Sequence, residues 1–163
     1  MTLQITNQPN QSEHHLIEQS NPGPAATPSS SAPGLTHPKP IRILVLEDML
    51  ELAALLRENL LLFGFEVETA PDGAVALRLL KEQSFDLALI DIDLPDISGF
   101  EVVERARAAG YLGKTRVVFC TGGYVQERSA QSLQYPGSRF MAKPFSIKQL
   151  LDTIADAARE PIV

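Results

Sequence analysis

Residues 85–102 read FDLALIDIDLPDISGFEV, a sequence that joins a strand pattern to the start of a helix pattern. Its first part is a short apolar run that ends at Asp91, and a helical pattern begins after the following loop. An apolar run of this length is typical of a strand buried on both faces of a parallel sheet. The stretch therefore predicts a strand over Phe85–Ile90, with Asp91 at its carboxyl end. It also predicts a helix over Gly99–Ala109, which Gly110 ends.

Strand and helix patterns alternate along the chain from Ile41 onward. Further strands are predicted at Ile41–Leu46, Phe65–Thr69, Arg116–Thr121 and Arg139–Lys143. Further helices are predicted at Glu51–Phe63 before Gly64, from Pro71-Asp72-Gly73 to about Glu82, and from a Ser146 cap to about Ala158. The stretch before Gly137 has only a weak helical pattern. Five strands with five intervening or following helical stretches predict an α/β sandwich on a parallel sheet.

The first 40 residues differ from the rest of the chain. They hold seven of the 12 prolines and none of the Phe or Tyr residues. A segment of this composition buries too little apolar surface to offset the entropy of ordering it. We therefore expect residues 1–40 to be a disordered tail rich in Pro, Ser and Gln, and residues 41–160 to form the folded domain.

Composition limits the possible partners and locations. The formal net charge of -6 disfavours direct DNA binding, which needs clustered Lys and Arg. The single Cys120 fits a reducing compartment. No apolar run approaches the ~20 residues that span a bilayer. These features predict a cytoplasmic protein that neither enters a membrane nor binds DNA directly.

Charged and hydroxyl side chains follow the predicted strands at the edge where parallel strands end. They are Glu47-Asp48, Asp91, Thr121 and Lys143. Each has an ordinary structural explanation when it is taken alone; Asp48, for example, could cap the next helix. A purely structural sheet does not need such groups at every one of these ends. In doubly wound sheets this edge carries the functional groups.

The residue types at this edge indicate phosphoryl chemistry. Two carboxylates ~4 Å apart repel each other by about 4 kcal/mol at an effective dielectric constant near 20. A hard cation such as Mg²⁺ relieves that repulsion and prefers oxygen ligands. A cation and the Lys143 ammonium around a carboxylate can stabilise a transferring phosphoryl group. Asp91 itself can be the nucleophile that forms an acyl phosphate.

Four segments resemble the receiver domains of response regulators in two-component phosphorelays. They are IRILVLEDM, FDLALIDIDLPDISGFEV, VVFCTGG and FMAKPF, and the resemblance covers about residues 41–159. The spacings match as well, with 30 residues from Asp91 to Thr121 and 22 from Thr121 to Lys143. The resemblance implies a flavodoxin-like doubly wound sheet of five parallel strands in the order 2-1-3-4-5, with helices on both faces.

The same resemblance implies a role for each residue of the acidic site. Asp91 matches the aspartate that is phosphorylated. Asp48 matches the acid that binds Mg²⁺ directly, and Glu47 matches its neighbour, which usually acts through water. Asp93 matches the position whose backbone carbonyl completes the metal site.

Three further positions match the family's phosphate-binding and switching residues. Thr121 matches the hydroxyl that contacts a phosphoryl oxygen, and Lys143 matches the family's lysine, whose bond to Pro144 is expected to be cis. Phe140 matches the aromatic residue that moves inward on activation. The TGG segment is similar to receivers of hybrid histidine kinases. The implied partners are a histidine kinase or histidine phosphotransfer protein as the phosphate donor, and a downstream protein target.

Two alternatives stay open at this stage. The Asp91-Ile92-Asp93 sequence also resembles the nucleophile motif of haloacid-dehalogenase-like phosphatases, although these carry a further acidic pair after the lysine. A pseudo-receiver that binds partners without being phosphorylated is the second alternative. We expect a phosphoacceptor rather than an enzyme. Because the chain ends at Val163, we also expect no output domain after the last helix.

Overall fold

The computed structural model of the chain describes residues 39–122, 135 and 137–159, and it contains one sheet of five parallel strands. The strands are β1 (Arg42–Leu46), β2 (Glu66–Ala70), β3 (Leu87–Asp91), β4 (Arg116–Thr121) and β5 (Arg139–Ala142). They lie in the order β2-β1-β3-β4-β5, which confirms the flavodoxin-like prediction. β2, in which polar residues are interspersed with apolar ones, lies at one edge of the sheet.

Helices cover both faces of the sheet. The described residues contain α1 (Leu50–Leu62), α2 (Gly73–Glu82), α3 (Gly99–Ala108) and α4 (Ile147–Arg159). Leu44 and Leu46 of β1 pack in a cluster with residues of α2 and α3. Ile43 and Val45, which point to the other face, pack with residues of α1 and α4. The two-sided burial of the central strands therefore explains their continuous apolar sequence.

Local polar contacts set where the helices begin and end. Asp72 accepts a hydrogen bond from the Val75 amide at 2.7 Å and caps α2. The Ser146 hydroxyl accepts a hydrogen bond from the backbone N–H of Gln149 at 3.2 Å, which confirms the predicted cap of the last helix. Gly64 follows α1 with a positive φ of 84°. This is the left-handed conformation expected at a helix end. None of these four helices is long and apolar enough to cross a membrane.

The predicted element boundaries need small corrections. β3 begins at Leu87 rather than Phe85, although the Phe85 ring is buried in the α2–α3 cluster. β5 ends at Ala142, but the amide of Lys143 still donates to Thr121 at 2.7 Å and continues the pairing. The Lys143–Pro144 bond is cis, as the resemblance implied. The weak helical stretch before Gly137 and the tail up to residue 38 lie outside the described residues.

The first residue of α3 lies directly against β3. A Cβ atom at Gly99 would come within 2.2 Å of the Asp91 carbonyl oxygen and 2.7 Å of the Ile90 side chain. The Gly99 amide donates to the Ile92 carbonyl at 3.1 Å. The absence of a side chain at Gly99 therefore allows α3 to begin next to the end of β3.

We expect Gly99→Ala to destabilise the fold by about 1–3 kcal/mol, because the new methyl group meets backbone that cannot move aside. Urea unfolding measures this loss. Gly122→Ala is the matched control, since a Cβ there meets nothing within 4 Å among the described residues. Equal stability of the two variants would show that α3 can shift away from β3 at little cost.

Candidate functional site

The sheet order brings three of the predicted site residues to one edge. Glu47 follows the end of β1, Asp91 is the last residue of β3 and Thr121 is the last residue of β4. These three strands are neighbours in the sheet, and Asp91 pairs with Cys120, the residue before Thr121. All three side chains are buried, Thr121 completely. Parallel pairing of the strands therefore brings residues that are far apart in the sequence together in one polar pocket.

Lys143 bridges two buried carboxylates. Its Nζ atom donates to Glu47 Oε2 at 2.6 Å and to Asp91 Oδ2 at 2.7 Å. The side chains of Glu47, Asp91 and Lys143 are 3%, 7% and 18% exposed. Such shielding from water strengthens the attraction, but it also makes each charge costly without a partner. The ammonium therefore holds the two acids together in the pocket.

Burial and pairing shift the pKa values of this group in ways that keep the lysine charged. Burial raises the pKa of Glu47, and the hydrogen bond from Lys143 only partly opposes that effect. Burial alone would lower the pKa of Lys143, but its bonds to Asp91 and Glu47 outweigh burial and raise it. Burial also raises the pKa of the Cys120 thiol to about 12. The thiol therefore stays protonated at neutral pH, as expected of a buried structural cysteine.

Asp48 adds a third carboxylate to the pocket. Ligand oxygens of Glu47, Asp48 and Asp91 all lie within 4.8 Å of one another. Glu47 Oε1 is buried and has no hydrogen-bond partner among the described residues. Three clustered carboxylates, one with an unpartnered buried oxygen, fit a hard divalent cation. Asp48 does not cap α1, since Met49 is the N-cap residue and that helix start has no side-chain cap.

Asp93 and Thr121 complete the polar lining of the pocket. The amide of Asp93 donates to Asp91 Oδ1 at 3.1 Å, which fixes the orientation of that carboxylate. The Thr121 hydroxyl donates to Asp93 Oδ2 at 3.4 Å, a long hydrogen bond. The metal-binding role of the Asp93 carbonyl stays a prediction.

Phe140 lies beside the pocket as part of an aromatic cluster. Its ring is half-buried, with centroids 5.1 Å from Phe119 and 6.2 Å from Phe100. Phe119 is on β4, two residues before Thr121. The ring therefore already packs on residues next to the site, and the predicted inward movement stays a prediction.

Asp96 is a residue of this region that the sequence analysis did not single out. Its carboxylate accepts a hydrogen bond from the Gly73 amide at 3.0 Å and so ties the loop after β3 to the start of α2. The two residues are 23 positions apart. A loop aspartate carries no local sign of such a contact, because the partner is set by the packing of α2 beside α3.

The fold and this acidic pocket together define a doubly wound α/β protein with a polar site at the carboxyl edge of its sheet. The family of response regulator receiver domains matches residues 43–155. The chain therefore belongs to that family, whose members are receivers of two-component systems. This family assignment rules out the alternative interpretation as a haloacid-dehalogenase-like phosphatase.

Similar proteins come from sensor kinases and from transcriptional regulators. The virulence sensor protein BvgS of Bordetella bronchiseptica is 34% identical over 142 residues, which cover 82% of this chain and 11% of BvgS. The transcriptional regulatory protein RprY of Bacteroides fragilis is 30% identical over 110 residues, 68% of this chain and 46% of RprY. The chain thus spans less than half the length of these two curated relatives.

Solved structures show the same fold. A CheY-like receiver domain protein from Methanospirillum hungatei superposes with a TM-score of 0.67 and 29% identity, covering 73% of this chain and 94% of that one. The receiver domain of the hybrid histidine kinase CckA gives a TM-score of 0.62 and 31% identity, covering 72% and 99%. These matches confirm the predicted resemblance to receivers, including those of hybrid kinases.

We expect Lys143→Met to destabilise the domain by about 2–4 kcal/mol in a buffer free of divalent cations, because it leaves Glu47 and Asp91 without their buried counterion. Chemical unfolding is the measurement. Lys148→Met is the matched control, since Lys148 makes an equally short pair with Asp152 on the exposed face of α4. Exposed pairs contribute little to stability. Similar losses in both variants would contradict the buried bridge.

Proposed function

We propose that this receiver accepts a phosphoryl group from a phosphohistidine onto Asp91 in a Mg²⁺-dependent reaction. The observation that supports this most directly is the Lys143 ammonium, bonded at once to the buried Glu47 and Asp91 carboxylates. A structural salt bridge needs one acid, and a second and third acid in the same pocket raise its energy. That surplus of negative charge is useful only if something positive or electrophilic is to be bound there.

The transfer forms one bond and breaks another. A carboxylate oxygen of Asp91 attacks phosphorus and forms an O–P bond, while the P–N bond to the donor histidine breaks. The electron pair of the broken bond returns to the imidazole nitrogen, which takes up a proton. The product is an aspartyl phosphate, an acyl phosphate that water later hydrolyses.

Lys143 and Thr121 are the residues that would stabilise the transferred group. The Lys143 ammonium lies 2.7 Å from Asp91 Oδ2, so it can pair with a phosphoryl oxygen attached at that carboxylate. The Thr121 hydroxyl, which donates to Asp93 Oδ2 at 3.4 Å, lies in the same pocket and can donate to a phosphoryl oxygen. Both groups donate to charge that grows during the transfer.

Glu47, Asp48, Asp91 and the Asp93 carbonyl are the groups that would hold Mg²⁺ in this pocket. The ion supplies positive charge that offsets the repulsion among the acids and between them and the phosphoryl oxygens.

The family sets the class of partner. Receivers partner with histidine kinases, so we propose a histidine kinase or a histidine phosphotransfer protein as the donor. The output is a protein contact or onward phosphotransfer, without direct DNA binding, and the chain acts as a phosphoacceptor rather than an enzyme. A cytoplasmic location stays a prediction.

Asp91→Asn should abolish labelling by acetyl phosphate, because an amide oxygen is a poor nucleophile. Intact-mass spectrometry measures the added phosphoryl group, and its loss with hydroxylamine identifies an acyl phosphate. Asp86→Asn is the matched control, because Asp86 directly precedes β3 and so lies at the amino end of the strand whose carboxyl end carries Asp91. Full labelling of Asp91→Asn, or loss of labelling in Asp86→Asn, would refute the assignment. Absence of labelling in the wild type would favour the pseudo-receiver.

Millimolar Mg²⁺ should raise thermal stability by relieving repulsion among the three acids. At ten times Kd the gain is about 1.4 kcal/mol. Asp48→Asn should remove most of this gain, whereas Asp86→Asn should keep it. Differential scanning fluorimetry across a Mg²⁺ titration makes the comparison. A wild-type melting temperature that does not respond to Mg²⁺ would count against a metal site in this pocket.

A further inference from the structure

One face of α3 carries a polar and aromatic stripe. Phe100, Glu104 and Arg107 are spaced four and three residues apart, so their side chains follow one another along the helix. Tyr135, which lies between β4 and β5 in the sequence, covers this stripe. Neither family resemblance nor the proposed chemistry uses Tyr135 or the stripe.

Each part of the Tyr135 side chain contacts a different residue of the stripe. The ring stacks on Phe100 with centroids 5.3 Å apart and planes 15° apart. The hydroxyl donates to Glu104 Oε1 at 2.7 Å. The guanidinium of Arg107 lies over the ring, 5.6 Å from its centroid. Tyr135 is only 5% exposed, so these contacts fix the side chain on α3.

The Tyr135 hydroxyl is a donor at every physiological pH. Burial and the hydrogen bond to Glu104 raise the pKa of Tyr135 to about 12. A hydrogen bond to a carboxylate is stronger than a neutral one. The contact with Glu104 is therefore a charge-assisted, directional hydrogen bond that ties Tyr135 to α3.

The tethered ring also touches the strand that ends at the site. Tyr135 meets Phe119 of β4 edge-on, with centroids 5.4 Å apart. Phe119 pairs with Ile90, the residue before Asp91, and lies two residues before Thr121. Phe100 directly follows Gly99, which lies against the Asp91 carbonyl. Tyr135 thus connects β4 to a helix whose first turn rests on the end of β3.

We propose that Tyr135 is a latch that stabilises the resting conformation of the receiver, so that filling the Asp91 site and keeping the Tyr135–Glu104 bond oppose each other. The inference rests on the proposed phosphoacceptor function. If Thr121 turns towards a phosphoryl group, the end of β4 and Phe119 shift relative to α3. The first turn of α3 is held at the end of β3, where the Gly99 amide donates to the Ile92 carbonyl at 3.1 Å. Tyr135, bonded to α3 and packed on Phe119, therefore resists the shift.

Coupling of this kind is reciprocal, and it can be measured from either end. Cutting the tether should tighten binding of Mg²⁺ with beryllofluoride, which imitates the phosphoryl group, by about fivefold or more. Tyr135→Phe cuts it while keeping the ring, and Glu104→Ala cuts it at an exposed position that tolerates alanine. The double variant should bind no tighter than either single variant, because each change removes the same bond.

Isothermal titration calorimetry on the full chain gives the affinities. Tyr111→Phe and Glu101→Ala are the controls, since they make the same chemical changes on or beside α3 at residues that make none of the Tyr135 contacts described above. In the wild type, the carbon-13 resonance of the Tyr135 phenol carbon should move when Mg²⁺ and beryllofluoride bind. It should keep its position in Asp91→Asn treated in the same way.

The outcomes separate this latch from the proposed function. Tighter binding in both tether variants and unchanged binding in both controls support the latch. If Tyr135→Phe and Glu104→Ala bind beryllofluoride with the same affinity as the wild type or more weakly, the latch is wrong. The phosphoacceptor function is unaffected by that result, because the wild type still binds. Failure of the wild type to bind beryllofluoride at all overturns both. If Tyr135 has only a structural role, Tyr135→Phe should lower the stability of the domain without tightening beryllofluoride binding. The affinity measurement therefore distinguishes a structural role from a latch.

Discussion

The bond of Lys143 to two buried carboxylates is the interaction on which the rest of the site depends. Glu47 and Asp91 lie at the ends of neighbouring strands, where burial disfavours the charge of each and each raises the energy of the other. The ammonium that relieves this comes from the residue after β5, which is separated from β3 by β4. A long side chain is needed to reach Asp91 from there. The site therefore depends on the sheet order, which leaves only β4 between Lys143 and Asp91.

The packing below the pocket holds that geometry in place. Glycine at position 99 brings α3 into contact with the Asp91 carbonyl, and Asp96 ties the same loop to α2. The aromatic rings of Phe100, Phe119, Tyr135 and Phe140 fill the space between α3, β4 and β5. Closely packed interiors move in discrete steps rather than by gradual deformation. Under the proposed function, a change at Asp91 would act first on β4 and α3, because Asp91 pairs with Cys120 and its carbonyl lies next to Gly99.

The sequence predicts much of this arrangement for physical reasons that are local. Continuous apolar runs predict strands buried on both faces, and the residue after such a run lies at the carboxyl edge, which locates Asp91. Lys143 is predicted at the same edge as the last residue of the strand Arg139–Lys143. Contacts between distant elements leave no local pattern. The Asp96 bond to Gly73 and the Tyr135 hydroxyl bond to Glu104 depend on how α3 packs against its neighbours, and only the structure shows them. The same holds for Glu47 Oε1, which has no partner among the residues that the structure describes.

The hydrogen bonds of Asp91 constrain how it could act as a nucleophile. Both of its oxygens accept bonds, Oδ2 from Lys143 and Oδ1 from the Asp93 amide. Each carboxylate oxygen has two lone pairs, so under the proposed function the attacking oxygen can bond to phosphorus with the pair that is not hydrogen-bonded. The amide is part of the backbone and stays in place, whereas Lys143 keeps Glu47 as a partner at 2.6 Å when it leaves Asp91. Under the proposed function, Glu47 would therefore do more than add charge, because it would remain a partner of the ammonium while the ammonium moves from the Asp91 carboxylate to the phosphoryl group.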